Sequence, residues 1–317
     1  MADRLKPWLL TDPLFLEHDT GPGHPERAER LRTVQRNLEH RPVLAKFDQP
    51  RLVPCPPGEI DRVHAAEYRE QVQQFAQRGG GRIEADTVVS PKSYDCALLA
   101  AGAAVQAVDG VLSGKTPVAM ALVRPPGHHA LQASAMGFCL FNNVAVAAQH
   151  AVAVHKLERV LIVDFDVHHG NGTQDLFYED PHVWFFSSHR SPFYPGTGAA
   201  EETGVGAGLG TKFNLPVKFG TPRKEFLSSF ERMLVDAAKR CRPQLVLLSA
   251  GFDAHRDDPI GSLGLETEDF GPLTDLVRGV AKEYCAGKLV SLLEGGYNVD
   301  ALADCVELHL ERLARQD

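Results

Sequence analysis

The sequence has no C-x-x-C pair. Its six cysteines (Cys55, Cys96, Cys139, Cys241, Cys285 and Cys305) are scattered along the chain. That excludes a cysteine zinc knuckle and a disulfide frame, and points to buried thiols in a reducing compartment. Positive charge is also in deficit: 33 Lys and Arg against 41 Asp and Glu leave a formal net charge of -8. A chain of this sign has no general electrostatic attraction for nucleic acid or anionic lipid. The opening MADRLKPWLL lacks the apolar run of a signal peptide, and no stretch reads as the ~20 apolar residues a membrane span needs. Internal repeats, low-complexity tracts and blocks of like charge are missing too. Together these absences predict a cytoplasmic protein with neither a membrane nor a nucleic-acid partner.

Hydrophobic content is plentiful, at 44% of 317 residues. That is enough to bury a large core in one domain spanning 1–317. Five short runs, PVAMALV (117–123), RVLIVDF (159–165), HVWFFS (182–187), QLVLLSA (244–250) and KLVSLL (288–293), are apolar on both faces. This is the pattern of parallel strands covered on both sides by helices. Helices are expected at 25–39, with Pro25 in the first turn, and near 61–78, 92–113, 138–155, 222–240, 267–285 and 299–314. The alternation predicts a single-domain α/β fold, a doubly wound, mainly parallel sheet flanked by helices. PCPPGE (54–59) and GTGAAEETGVGAGLG (196–210) read as surface loops.

In open α/β sheets, ligands bind beyond the carboxyl ends of the strands. Four of the runs place reactive side chains there. ALVRPPGHHA leaves His128 and His129, and VLIVDFDVHH leaves Asp164, Asp166, His168 and His169. LVLLSAGFDAH leaves Asp253 and His255, and LVSLLEGGYN leaves Glu294 and Tyr297. Side chains alternate along an extended chain, so Asp164, Asp166 and His168 are expected on one face. Carboxylates side by side repel unless a cation sits between them, so the D-x-D-x-H spacing asks for a metal. Asp253, at another strand end after a glycine that permits a sharp turn, could complete a two-Asp, one-His set. Three protein ligands and an open position describe catalytic zinc better than structural zinc, which is closed by four. Two Asp and one His would cancel the charge of the divalent ion, and water at the open position would have its pKa lowered towards ~7.

Simpler roles compete with these. An aspartate after a strand is often a helix cap, and a lone histidine is more often a satisfied core or surface group. His18, His40, His64, His150, His155, His182 and His309 are read that way. The His128–His129 pair follows RPPG, where prolines stiffen the backbone and a glycine allows the turn. Adjacent imidazoles in such a loop suit proton transfer. Each needs a partner on its far nitrogen to fix its tautomer, and Asp164 and Asn171 are the candidates. Tyr297 follows two glycines, so its phenol could donate to a developing oxyanion; taken alone it would be a packed aromatic.

RPPGHHA, GFCLFNNVAVAA, DFDVHHGNGTQDLFY, FYPGTG, AGFDAHRDDP and LEGGYN resemble the motifs of the zinc-dependent histone deacetylase family. RPPGHH, GNGTQ and LEGGYN resemble its class II branch and the bacterial amidohydrolase relatives. The resemblance runs from GHPERAERL to EGGYN, nearly the whole chain. It implies the arginase-deacetylase fold, with Zn2+ on Asp166, His168 and Asp253 and with Tyr297 polarising the acetyl carbonyl. His129 would be the main general base and acid and His128 its electrostatic helper. Asp164 would orient His128, and Asn171 would face His129. Other branches carry aspartate where Asn171 stands, so His129 is expected to have a lower pKa than an Asp partner would give it.

The resemblance also implies K+. One site would use Asp164, Asp166 and His168 with Ser187 and the Ser188 carbonyl. A second would use backbone oxygens near Phe177, Asp180, Val183 and Phe213. Gly137, Phe138 and Tyr194 match the walls of the acyl-lysine tunnel. Tyr194 departs from the usual phenylalanine and adds a hydroxyl to the channel. Asp86 is expected at the rim, gripping the substrate backbone.

The activity implied is hydrolysis of acetyl from N-acetyl-lysine side chains of proteins or peptides, with acetylated lysine or a small acetyl amide as partner and a homo-oligomer left open. Three rivals stand beside it. Polyamine-selective acetylpolyamine deacetylases place a glutamate near the site mouth, where this chain has Ile260. An arginase-like ureohydrolase needs a second metal, in space the His pair takes here. A catalytically silent scaffold commonly loses the tyrosine or a metal ligand, and this chain keeps them all.

Overall fold

Each predicted apolar run becomes a strand of one sheet. The computed structural model describes residues 5–315, so the extreme ends of the expected 1–317 domain lie outside the described residues. In chain order the elements are β1 (Trp8–Leu10), α1 (Glu29–Glu39), α2 (Pro57–Ile60), α3 (Ala66–Gln77), β2 (Gly81–Arg82), β3 (Val88–Val89), α4 (Ser93–Leu112), β4 (Val118–Ala121) and α5 (Asn143–Ala153). They continue with β5 (Val160–Asp164), α6 (Asn171–Leu176), β6 (Val183–Arg190), β7 (Lys212–Val217), α7 (Arg223–Cys241), β8 (Leu245–Ala250), α8 (Phe270–Cys285), β9 (Leu289–Leu293) and α9 (Val299–Leu313). Seven strands pair in the order β1-β4-β9-β8-β5-β6-β7, every pair parallel. A short antiparallel ladder, β2 with β3, stands apart.

Every residue of β4, β5, β8 and β9 is buried. Helices cover both faces of these strands, which is why their sequences show no polar alternation. The two strands of this sheet that the apolar-run pattern does not reveal, β1 and β7, are its edges. β7 carries Pro216, a residue an edge tolerates because it need not donate to a further strand.

The helices differ from expectation in local ways. α1 starts at Glu29, not in the turn of Pro25. The chain before it bends to bury Glu26, whose carboxylate binds Arg30 (3.1 Å) and Arg124 (2.7 Å). Of the segment expected at 61–78 only α3 is helical, and the single turn of α2 precedes it, at the end of the PCPPGE stretch read as a loop. His64, between them, turns inward, with its Nδ1 on the Leu131 carbonyl and its Nε2 accepting from the Asn142 N–H, both at 2.9 Å. The helix expected from 138 begins at Asn143, capped by the Asn142 side chain. Phe138, with φ of 70°, is outside the helical region. α6 is an additional short helix within the GNGTQ motif. The absence of any membrane-length apolar segment needs correction: α4 is long and apolar enough to span. Most of it is buried against the sheet and neighbouring helices, so here it is a core helix.

Candidate active site

Four adjacent strands in the sheet, β4, β9, β8 and β5, send their carboxyl ends to one edge, and the reactive motifs follow them. β5 stops at Asp164. The Asp164 Oδ1 then accepts the Asp166 N–H at 3.0 Å, and the Asp166 Oδ1 accepts the His168 N–H at 2.9 Å. These bonds curl the chain, so strand alternation ends and the expected common face does not form. Asp164 turns towards His128, while Asp166 and His168 turn towards Asp253. The His168 Nδ1 lies 3.0 Å from Asp166 Oδ1 and 3.1 Å from Asp253 Oδ2. The donor atoms of this buried trio all lie within 4.8 Å of one another.

Backbone holds the two carboxylates in place. The Gly295 N–H donates to Asp166 Oδ2 and the Val167 N–H to Asp253 Oδ1, each at 2.8 Å. A Cβ on Gly295 would stand 2.1 Å from Asp253 Oδ2, and one on Gly251 would stand 2.0 Å from Asp166 Oδ2. Glycine is therefore required on both sides of the pocket. Burial, and then the Asp166 charge, push the Asp253 carboxyl up to about 7. Burial also opposes a charge on His168, but its bonds to Asp166 and Asp253 outweigh this and lift it to about 10. Two buried carboxylates demand positive charge between them, and a divalent cation meets that demand with these three donors. The residues fit zinc with an open position.

The histidine pair sits beside this trio. His128 Nδ1 is 3.0 Å from Asp164 Oδ2, His129 Nδ1 is 2.7 Å from Asn171 Oδ1, and the two rings are 4.0 Å apart. The loop that carries them is pinned by Glu294, whose Oε2 accepts the Gly127 and His128 N–H groups at 2.7 and 3.2 Å. Burial would lower both imidazoles. For His128 the Asp166 and Asp164 charges overcome it and raise it to about 10. For His129 burial is joined by the charges of His128 and His168, which hold it well below the ordinary value. Neighbouring groups driven apart in this way are suited to separate roles. With Nδ1–H donated to the Asn171 oxygen, Nε2 of His129 carries the free lone pair.

Tyr297 is buried, its ring 5.7 Å from Phe138 and under the Arg30 guanidinium at 5.0 Å. Burial pushes its phenol well above the ordinary value, so it stays a donor. Its backbone is set by Asp258, absent from the expected site. Asp258 Oδ2 accepts the Tyr297 N–H at 2.7 Å, and Oδ1 accepts those of Ile260 and Gly261, each at 2.9 Å. Ile260 is thus half-buried on the loop that Asp258 ties to Tyr297. The Arg30 Nε–H donates to the Gly296 carbonyl at 2.6 Å, linking the Glu26 cluster to the same segment. The signal for Asp258 is local: an aspartate preceding Pro-x-Gly commonly bonds the backbone after it. Glu26 and Arg124 lie within the GHPERAERL and RPPGHHA stretches, but spacing alone gives no sign that they pair.

Phe138 and Tyr194 flank the pocket. Tyr194 stands edge-on to His129 at 5.3 Å and to His168 at 6.0 Å. Gly137 and Phe138 both have positive φ, 56° and 70°. Asp86 and Thr87 hold that turn by accepting the N–H groups of Gly137 and Phe138, each at 3.0 Å. Asp86 Oδ1 therefore grips the chain's own backbone. Burial and the Asp86 carboxylate raise the Tyr194 phenol, so the hydroxyl that distinguishes Tyr194 lies beside Asp86. Phe193, which sequence reasoning missed, stacks on His168 at 5.3 Å. His169 and His255 turn away from the pocket, to Thr197 and Gln174 and to Thr267 respectively.

The expected potassium ligands divide. Ser187 Oγ meets His189 Nδ1 at 3.0 Å, and Ser188 Oγ is buried with no partner among the described residues. In the second expected set, the Val183 and Asp180 carbonyls already accept the buried Lys212 ammonium at 2.8 and 3.4 Å. Phe177 caps α6, and Phe213 follows Lys212 in β7. Burial lowers the Lys212 pKa to about 8, yet its ammonium already takes these carbonyls, so that expectation is corrected.

A buried cation cradle, a neutral imidazole with its lone pair free and a protonated phenol, all at the strand ends of a parallel sheet, define a metal-assisted hydrolase. Comparison with known proteins supplies the family. The histone deacetylase domain model matches residues 24–313. The histone deacetylase-like amidohydrolase of Pseudomonas aeruginosa is 37% identical over 97% of this chain and 82% of its own. The human polyamine deacetylase HDAC10 is 40% identical over 91% of this chain and 44% of its own length. The crystal structure of the HDA15 HD domain superposes with a TM-score of 0.91 at 34% identity, covering 98% of this chain and 88% of that one. The chain belongs to the histone deacetylase family and is a deacetylase.

Proposed function

We propose that this deacetylase is zinc-dependent and removes acetyl from N-acetyl-lysine side chains of proteins or peptides. The convergence of Asp166, His168 and Asp253 beside His129 carries this reading. Zinc held by these three residues would supply Lewis acidity towards the acyl oxygen and would acidify a water. His129 accepts the proton of the attacking water at Nε2, because Asn171 holds its Nδ1–H. It later delivers that proton to the leaving lysine amine. His128, held by Asp164 through its Nδ1, acts as the electrostatic helper to the negative charge that develops during attack. The Tyr297 phenol donates to the oxyanion. Phe138 and Tyr194 exclude water from the acyl-lysine stem.

Removal of acetyl from a polyamine is the second reading, favoured by the human relative's name. Ile260 argues for acetyl-lysine, because it offers no charge to a cationic chain. A potassium ion on Asp164, Asp166 and His168 with Ser187 and the Ser188 carbonyl belongs to the proposal, supported by the pairing of Asp164 with Ser187 between β5 and β6. So does a cytoplasmic location, supported by six free, buried thiols. Zinc-loaded protein assayed on an acetyl-lysine peptide and on N-acetylspermidine is the test. Much faster turnover of the polyamine reverses the order. Full zinc occupancy with no turnover of any acyl amide overturns the enzymatic reading.

A further inference from the structure

Helices between parallel strands run back along the sheet, so the last turns of α4 and α5 lie at the edge opposite the strand-end pocket. Three side chains meet there. His150, in the last turn of α5, is buried; Asp109, in the last turn of α4, and His155, just beyond α5, are partly exposed. His150 Nε2 and His155 Nε2 both address the same oxygen, Asp109 Oδ1, at 2.9 and 2.6 Å. His150 Nδ1 sits 2.9 Å from Glu59 Oε2, on α2. The Asp109, His150 and His155 donor atoms all lie within 4.8 Å of one another.

The donor arithmetic is unusual. A neutral imidazole has one N–H and one lone pair. If His150 gives its Nδ1–H to Glu59, its Nε2 lone pair faces a carboxylate oxygen. His155 brings a second ring nitrogen to that same oxygen. His155 can donate an Nε2–H as a neutral imidazole, but the His150 contact becomes favourable only if positive charge lies between its Nε2 and the oxygen. One extra proton on His150 could provide it, with His155 neutral and donating its Nε2–H, and so could one divalent ion. Glu59 on the far nitrogen of His150 is the outer carboxylate that fixes tautomer and ring orientation in histidine metal sites. The C-terminal ends of two helices add partial negative charge at the same place.

We propose that Asp109, His150 and His155 form a second metal site, separate from the catalytic one, for a divalent transition ion of the zinc class. Two imidazoles select zinc, cobalt or nickel over magnesium or calcium. Donors ~2.0–2.1 Å from zinc in a tetrahedron stand ~3.3 Å apart. Asp109 must therefore withdraw by less than an ångström, and its side chain, 52% exposed, is free to do so. Solvent reaches the remaining position past Asp109 and His155. The ion would clamp α2, α4 and α5 together at the edge remote from chemistry. Arg62, which binds Glu59 at 3.0 Å, stays on the outer carboxylate.

The test is metal stoichiometry. Metal-free protein is titrated with Zn2+, desalted, and its metal content measured; a parallel titration with Co2+ follows visible absorption. Wild type should hold two ions per chain. One step should restore deacetylase turnover, and the other should leave it unchanged. His155→Ala and Asp109→Asn should hold one ion, with turnover and circular dichroism unchanged and one cobalt absorption step gone. Glu59→Gln should weaken the second step by about 10–100-fold. One ion in wild type, or two retained in His155→Ala, overturns the site and leaves a protonated ion-pair network in its place. Because turnover is read separately, failure here is distinct from failure of the acetyl-lysine reading.

Discussion

Replacing Asn171 with aspartate tests the division of labour between the two histidines. The Asn171 oxygen accepts from His129 Nδ1 at 2.7 Å, and the substitution exchanges the amide nitrogen for a second oxygen of nearly the same shape. Little moves except charge. The lost amide donor served only the Met136 sulfur at 3.3 Å. Burial and the neighbouring cations now hold His129 well below the ordinary imidazole value. Opposite unit charges 4 Å apart at an effective dielectric of 20 attract by ~4 kcal/mol. Loss of solvation by the new carboxylate offsets part of this, so the pKa of His129 should rise by ~1–3.

The sign follows from the role. His129 must be unprotonated to accept the water proton, so the acid limb of kcat/KM reports its pKa in the free enzyme. A raised pKa moves that limb upward. On the acid side of both limbs the variant should therefore lose ~10-fold in rate for every pH unit by which the limb moves. The assay is kcat/KM for an acetyl-lysine peptide from acid to neutral pH, with zinc content checked at every point. An acid limb that stays in place or moves down, in folded and zinc-loaded protein, refutes the assignment of His129 as base with Asn171 as its only brace.

Three further outcomes are expected. Tyr297→Phe removes the oxyanion donor, so kcat should fall ~10²–10³-fold with KM nearly constant in steady-state kinetics. Gly295→Ala places a methyl 2.1 Å from Asp253 Oδ2, and metal analysis after dialysis should show zinc lost before the fold is. Glu26→Gln leaves the buried Arg30 and Arg124 without their carboxylate, at a cost of ~3–5 kcal/mol in denaturant unfolding. Burial would raise Glu26, but Arg124 and His18 hold it well below its usual 4.5. Its stabilisation is therefore present above that value and lost as pH falls through the folded-state pKa, a slope that Glu26→Gln should flatten.

Much of the site was legible because its parts are contiguous. The stretch from Asp164 to Asn171 carries two of the metal donors, the His128 partner and the His129 partner. The five interior strands were readable because burial on both faces removes polar alternation. The edge strands β1 and β7 carry no such signature. α4 shows that an apolar helix as long as a membrane span is told apart only by what packs on it.

Local sequence by itself determined the donor types, their spacing and the glycines that leave room for them. Only the tertiary structure decided that Asp253 reaches His168 across 85 residues, that Asp258 holds the Tyr297 backbone, that Lys212 takes the carbonyls expected to bind potassium, and that His150 and His155 share one carboxylate oxygen. The reason is physical. Spacing governs which side chains can meet along a strand or helix, whereas the order of strands in the sheet and the packing of helices upon it govern which distant charges are buried together.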